Sequence, residues 1–83
     1  LSREVPGLRS DRIEIAAGSP YAGRTLGDTR ARTLTGTSVV AVVRGADVIA
    51  SPTPAQPLRA GDVVVAVGTD DGLRSLHALV TGG

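Results

Sequence analysis

The side chains here that could do chemistry are few, and they do not converge. His77 is the single histidine and cysteine is absent, which excludes thiol nucleophiles, Cys zinc sites and disulfides together. A divalent-cation site would need His77 beside Asp62, Asp70 or Asp71. The plainer reading puts His77 on the exposed side of a terminal helix, with Asp70 and Asp71 in its first turn, where carboxylates suit the positive end of the helix dipole. Ser19 lies in Gly18-Ser19-Pro20, which lacks the Gly-x-Ser-x-Gly form of a nucleophile elbow, and no acid is evident to orient His77 as its base. Ser19 therefore reads as a turn residue. Gly18, Gly23, Gly27 and Gly36 do not make the Gly-x-Gly-x-x-Gly spacing of a dinucleotide fingerprint and suit turns and caps. With no nucleophile, base and orienting group in convergence, the expectation is a domain that is not an enzyme and holds no resident metal or cofactor.

Two arginines remain. Arg30 and Arg32 stand just ahead of the run Val39-Val40-Ala41-Val42-Val43. On one reading they are solvated helix charges. On the other, one of them lies near a two-fold axis, so that two subunits each offer a phosphate a bidentate contact. The residues alone leave both open. In all, nine arginines are scattered among eight acids at a net charge of +1, which argues against a nucleic-acid surface built on phosphate neutralisation. The absence of Lys, with many Ala, Gly and Val residues, looks like a GC-rich bacterial coding sequence. No apolar run approaches the roughly 20 residues needed to span a bilayer, and no signal segment is present, so the reading is a soluble, cytoplasmic domain.

The elements that must position these residues are legible from periodicity. Arg12-Ile13-Glu14-Ile15-Ala16 alternates as a half-buried strand, ended by Gly18-Ser19-Pro20. Thr25-Leu26-Gly27-Asp28 has the form of a helix start, and Gly36 suits the left-handed residue after its end, so a continuous helix of about three turns is expected. The Val39–Val43 run reads as a central strand buried on both faces. Arg44 to Asp47 is a turn, and Val48-Ile49-Ala50-Ser51 is a hairpin partner stopped by Pro52 and Pro54, as suits an edge. Pro57 to Asp62 is a loop leading into the strand Val63–Val67. Thr69 then caps a last helix with an apolar stripe of Leu73, Leu76, Leu79 and Val80.

The order β-α-β-β-β-α implies a small two-layer α+β domain, a mixed sheet with two helices on one face. Its 83 residues make one domain whose core, lacking Phe, Trp and Met and with Tyr21 as the sole aromatic, must be aliphatic. Such a core buries little area per residue, which favours association with a second copy. Residues 1–10, with Val5-Pro6-Gly7, read as a lead-in from an upstream element of a longer polypeptide, and residues 11–81 as the module proper.

The ordered set of segments resembles a known family. Ser19-Pro20-x-Ala22-Gly23-Arg24-Thr25-Leu26-Gly27-Asp28, Arg32-Thr33-x-Thr35-Gly36-x-Ser38 with the Val39–Arg44 run, Ser51-Pro52-x-Pro54, and Leu58-x-Ala60-Gly61-Asp62 with the Val63–Gly68 run are similar to RCK_C domains. These are the C-terminal domains of regulators of K⁺ conductance, also called TrkA C-terminal domains. The resemblance implies an α+β homodimer serving a membrane potassium channel, uptake system or cation/proton antiporter, and is nearest to antiporter regulatory subunits. It further implies cyclic di-AMP at the dimer interface, contacted by Leu26, Ala31, Arg32, Thr33, Thr37, Ser38, Val39 and Pro52, with Arg32 as the phosphate partner. No nucleic acid is expected as a partner. The alternative is a structural dimerisation module of a transporter regulator with no small-molecule ligand.

Overall fold

A computed structural model describes residues 5–82. Its elements are β1 (Arg9–Glu14), α1 (Leu26–Thr29), α2 (Ala31–Thr35), β2 (Ser38–Arg44), β3 (Asp47–Ala50), β4 (Val63–Gly68) and α3 (Asp70–Thr81). Strand β1 begins two residues before the expected start of the module at Asp11. The rest of the expected upstream element includes residues 1–4, which lie outside the described residues.

The four strands form one sheet in the order β1-β4-β2-β3, and every pair is antiparallel. This corrects the expected mixed sheet. β1 and β2 do run in the same direction, but the last strand inserts between them and pairs with both, so no parallel pair forms. Along the inner face one row reads Ile13, Val64, Val42 and Ile49 across the four strands. Helices cover that face alone. Leu73, Leu76 and Val80 of α3 bury against it with Ile13, Ile15, Tyr21, Ala31, Val42, Leu58, Val64 and Ala66. Burying each larger aliphatic side chain contributes about 1.5–3 kcal/mol.

The expectation that Val39–Val43 is buried on both faces does not hold within one chain, where only Val42 is fully buried. Ala41 and Val43 point to the uncovered face, level with Val65 and Val63, and are half-buried by their neighbours in the sheet. A β-bulge separates Val39 from Ala41. It returns Val39 to the inner face beside α2, so strict alternation fails here, next to the candidate site.

The first helix is broken. Thr25 caps α1 by accepting the Asp28 N–H, but Arg30 adopts φ 54° and ψ 31°, and α2 starts after it. The cause is Thr29, whose hydroxyl donates to the Leu26 carbonyl at 2.6 Å and accepts from the Ala31 N–H at 3.3 Å. A side chain that offers the backbone such local partners competes with the helical ladder. Gly36 ends α2 at φ 73°, as its type requires. At the far end Thr69 accepts the Gly72 N–H at 3.1 Å to start α3. Among the described residues, no helix is long and apolar enough to cross a membrane.

Candidate functional site

Four segments meet at one open cavity of about 330 Å³, near the lower end of the roughly 300–1,000 Å³ of small-molecule sites. Leu26 and Gly27 of α1, Arg30 at the break, and Ala31, Arg32 and Thr33 of α2 form one wall. Ser38 and Val39 at the start of β2, and Pro52 and Pro54 of the loop after β3, complete the lining. Seven of the eight residues singled out for a ligand thus come together: Leu26, Ala31, Arg32, Thr33, Ser38, Val39 and Pro52. Thr37 does not line the cavity. It is fully buried, its hydroxyl shares a 2.7 Å hydrogen bond with that of Thr35, and the Thr35 hydroxyl also donates to the Ala31 carbonyl at 2.6 Å.

The α1 wall is stitched to that loop by backbone. Gly27 N–H donates to the Pro54 carbonyl at 2.8 Å and Leu26 N–H to the Gln56 carbonyl at 2.8 Å. A Cβ at position 27 would stand 3.0 Å from both the Cβ and the carbonyl oxygen of Pro54, so glycine permits this approach. Ser51 N–H donates to the carbonyl of Val40, the bulged residue, at 2.9 Å, and hangs the Pro52–Pro54 loop from β2. Ser51 and Arg30 are the non-glycine residues with positive φ, at 50° and 54° among the described residues; Arg30 lines the cavity and Ser51 is the chain neighbour of Pro52, which does. A left-handed backbone costs a non-glycine residue about 1–2 kcal/mol.

Electrostatically the cavity is cationic. Arg30 and Arg32 line it without a carboxylate, the other walls being apolar or hydroxyl-bearing. The ion pairs among the described residues are Arg9–Asp70, Arg44–Asp62 and Arg74–Asp71, so neither cavity arginine is neutralised.

Beneath α1 lies Tyr21, only 2% exposed, whose phenol oxygen has no hydrogen-bond partner among the described residues. Burial pushes that phenol above its ordinary pKa, partly offset by the nearby Thr29 hydroxyl and Arg24 charge. Since Thr29 gives its proton to the Leu26 carbonyl, it has none to donate to the phenol oxygen.

The remaining candidates have other engagements. Asp62 accepts Arg44 Nε at 2.9 Å, Arg44 Nη2 at 2.8 Å and the Arg59 N–H at 2.9 Å. The Arg44 guanidinium, foremost, holds the Asp62 carboxyl below the usual carboxylate range, against the opposing effect of burial. Asp70 and Asp71 pair with Arg9 and Arg74 at 3.2 and 3.0 Å. His77 is exposed on α3 and borders a polar groove with Arg9, Ser10, Asp11, Asp70 and Arg74; Asp62 stands at the opposite end of β4. No group of three metal-ligating side chains occurs among the described residues. Ser19 is a buried turn residue that donates to the Val80 carbonyl and accepts the Tyr21 N–H at 3.0 Å, so it ties the turn to the end of α3.

Gly27 and Pro54 are cavity residues with no expected ligand role; Arg30 was weighed with Arg32 for a phosphate, and the family resemblance selected Arg32 alone. Pro54 was legible only as a strand stop, and Gly27 as part of a helix start. A left-handed arginine inside a helical pattern has no sequence signature.

Residues 12–81 match the TrkA-C domain family. Ktr system potassium uptake protein C of Bacillus subtilis (strain 168) is 37% identical over 57 residues, 69% of this chain, and the chain spans about a quarter (26%) of that protein. Among solved structures, the RCK_C domain dimer of S. agalactiae BusR in complex with c-di-AMP superposes with a TM-score of 0.81 at 23% identity, covering 89% of this chain and 97% of that one. The RCK C domain of the potassium transport protein KtrA, in complex with cyclic diadenosine monophosphate, superposes with a TM-score of 0.71 at 29% identity, covering 83% and 81%. With nearly its whole length matched, the chain belongs to the TrkA-C family, the RCK_C domains.

Proposed function

We propose that this chain is the ligand-sensing part of a homodimeric regulator of potassium or cation/proton transport, and that its cavity is half of a cyclic di-AMP site. The observation that carries the reading is the cavity itself, with apolar walls and two arginines lacking any carboxylate partner. A cyclic dinucleotide has two-fold symmetry, so two copies across a two-fold axis supply the same patch twice. Arg32 of each copy takes one phosphate through its planar fork. Leu26, Val39 and Pro52 pack on the adenines, with Ala31, Thr33 and Ser38 completing the wall. Thr37 serves from beneath, fixing the turn that presents Ser38. The cyclic di-AMP complexes of the BusR and KtrA domains, and the Ktr uptake relative, support the ligand and the setting.

Binding would reorient or rigidify the dimer and bias a transporter at the cytoplasmic membrane, which requires unequal affinity for two states of the assembly. The scattered arginines give no reason to add a nucleic-acid partner. A second reading, a dimerisation module without ligand, draws on Leu34 and Val40, which are 56% and 40% exposed and adjacent in sequence to cavity residues. Isothermal titration of cyclic di-AMP into the purified dimer separates them. The expected result is one nucleotide per dimer, with binding weakened about 10–100-fold in Arg32→Ala. A sedimenting dimer that releases no heat favours the second reading.

A further inference from the structure

We infer that Arg30 is a second phosphate-binding cation of this cavity, kept in a strained backbone state by that role; the inference rests on reading the cavity as a cyclic dinucleotide half-site. Arg30 lines the cavity, is exposed, and has no ion pair or side-chain hydrogen bond among the described residues. Its φ of 54° is the left-handed region, which glycine adopts freely and which Asn and Asp tolerate better than other side chains. As a hinge between α1 and α2, the position would therefore be served better by a small residue. The break itself needs nothing from the Arg30 side chain, because Thr29 supplies the local hydrogen bonds and Arg30 contributes only backbone. Packing does not account for the arginine either, since its side chain is exposed.

Ser51, the other left-handed non-glycine residue among the described residues, does not line the cavity but directly precedes Pro52, which does. Strain at a cavity-lining residue that packing does not explain points to function there. The chemistry fits. A phosphodiester carries one charge on two non-bridging oxygens with more lone pairs than one guanidinium fork uses, so Arg30 can donate to the phosphate that Arg32 forks. Arg30 and Arg32 flank Ala31, and the left-handed turn at Arg30 sets them on a wall that an unbroken helix would have spread over about 200° of its circumference. The dimer then offers four guanidinium groups to two phosphates, which excludes uncharged nucleosides and makes affinity salt-dependent.

The test is paired melting and titration of the dimer as wild type, Arg30→Asn, Arg30→Gln and Arg32→Ala, with cyclic di-AMP at low and physiological salt. Arg30→Asn is expected to raise the ligand-free melting temperature by a few degrees, by relieving the left-handed strain, while weakening binding about tenfold and flattening its salt dependence. Arg30→Gln, which lacks the tolerance of Asn, should lose affinity without that gain. If wild type binds and both Arg30 variants bind equally well, Arg30 is not a ligand residue and the inference falls alone. If wild type releases no heat, the half-site reading falls and takes this inference with it.

Discussion

Arg44 and Arg32 carry the same side chain in opposite circumstances. Arg44 forks onto a carboxylate that is 1% exposed and also donates to the Pro57 carbonyl at 3.1 Å, binding β2 to the loop before β4. Arg32, with Arg30, faces an open cavity with no acid in its lining. One region is closed and satisfied; the other is left open, with a left-handed arginine in its lining. A buried charge such as Asp62 finds its partners inside the chain. Arg30 and Arg32 are exposed and unpaired, as Arg12 and Arg59 also are, and what sets them apart is that they line one cavity together.

The largest test of this contrast is Asp62→Ala. Removing the carboxylate leaves Arg44 and the Arg59 N–H without their shared acceptor, and the melting temperature should fall by about 10 °C or more, read by circular dichroism. The same pair predicts an acid limb. Because the folded-state pKa of Asp62 is lowered, its contribution is complete above the ordinary aspartate range and is lost as pH falls through the lowered value. Asp62→Asn should therefore be less stable at neutral pH and lose less on acidification; an unchanged acid limb would show that Asp62 does not govern it.

Next comes Arg32→Ala, expected to weaken cyclic di-AMP binding by about 10–100-fold while shifting the melting temperature by less than about 2 °C. A large stability loss would erase the distinction between the two regions. Gly27→Ala is smaller and tests the stitched loop. Its new Cβ presses on Pro54 backbone, so a loss of about 1–2 kcal/mol is expected, with weaker ligand binding. An unchanged melt would mean that the Pro54 loop yields freely. Tyr21→Phe should have the least effect. Its hydroxyl is buried without a partner, so its removal should leave stability within about 1 kcal/mol or raise it slightly, by urea denaturation. A loss well beyond that would reveal a partner for the phenol.

Local chemistry was legible before any coordinates. Thr69 and Asp70 marked the start of α3, Leu73, Leu76 and Val80 its buried stripe, Gly36 the end of α2, and Val48–Ala50 the edge hairpin. The site was legible through family resemblance, on Arg32 and the residues flanking it. Arg30 was legible only as one of two candidate arginines, and its backbone state was not legible at all. Its left-handed backbone follows from the Thr29 hydroxyl, which a helical pattern through Thr25–Gly36 conceals.

The sequence by itself determined which segments become strand or helix, because caps, alternation and glycine punctuation act over a few residues and need no distant partner. Tertiary structure decided the rest. It placed β4 between β1 and β2 and so made the sheet antiparallel, joined Arg44 to Asp62, and brought Pro54 against Gly27. The cavity belongs to that second group. Its walls come from segments that meet only when the sheet and the 51–54 loop close, and closure of contacts distant in sequence is set by packing of the whole chain.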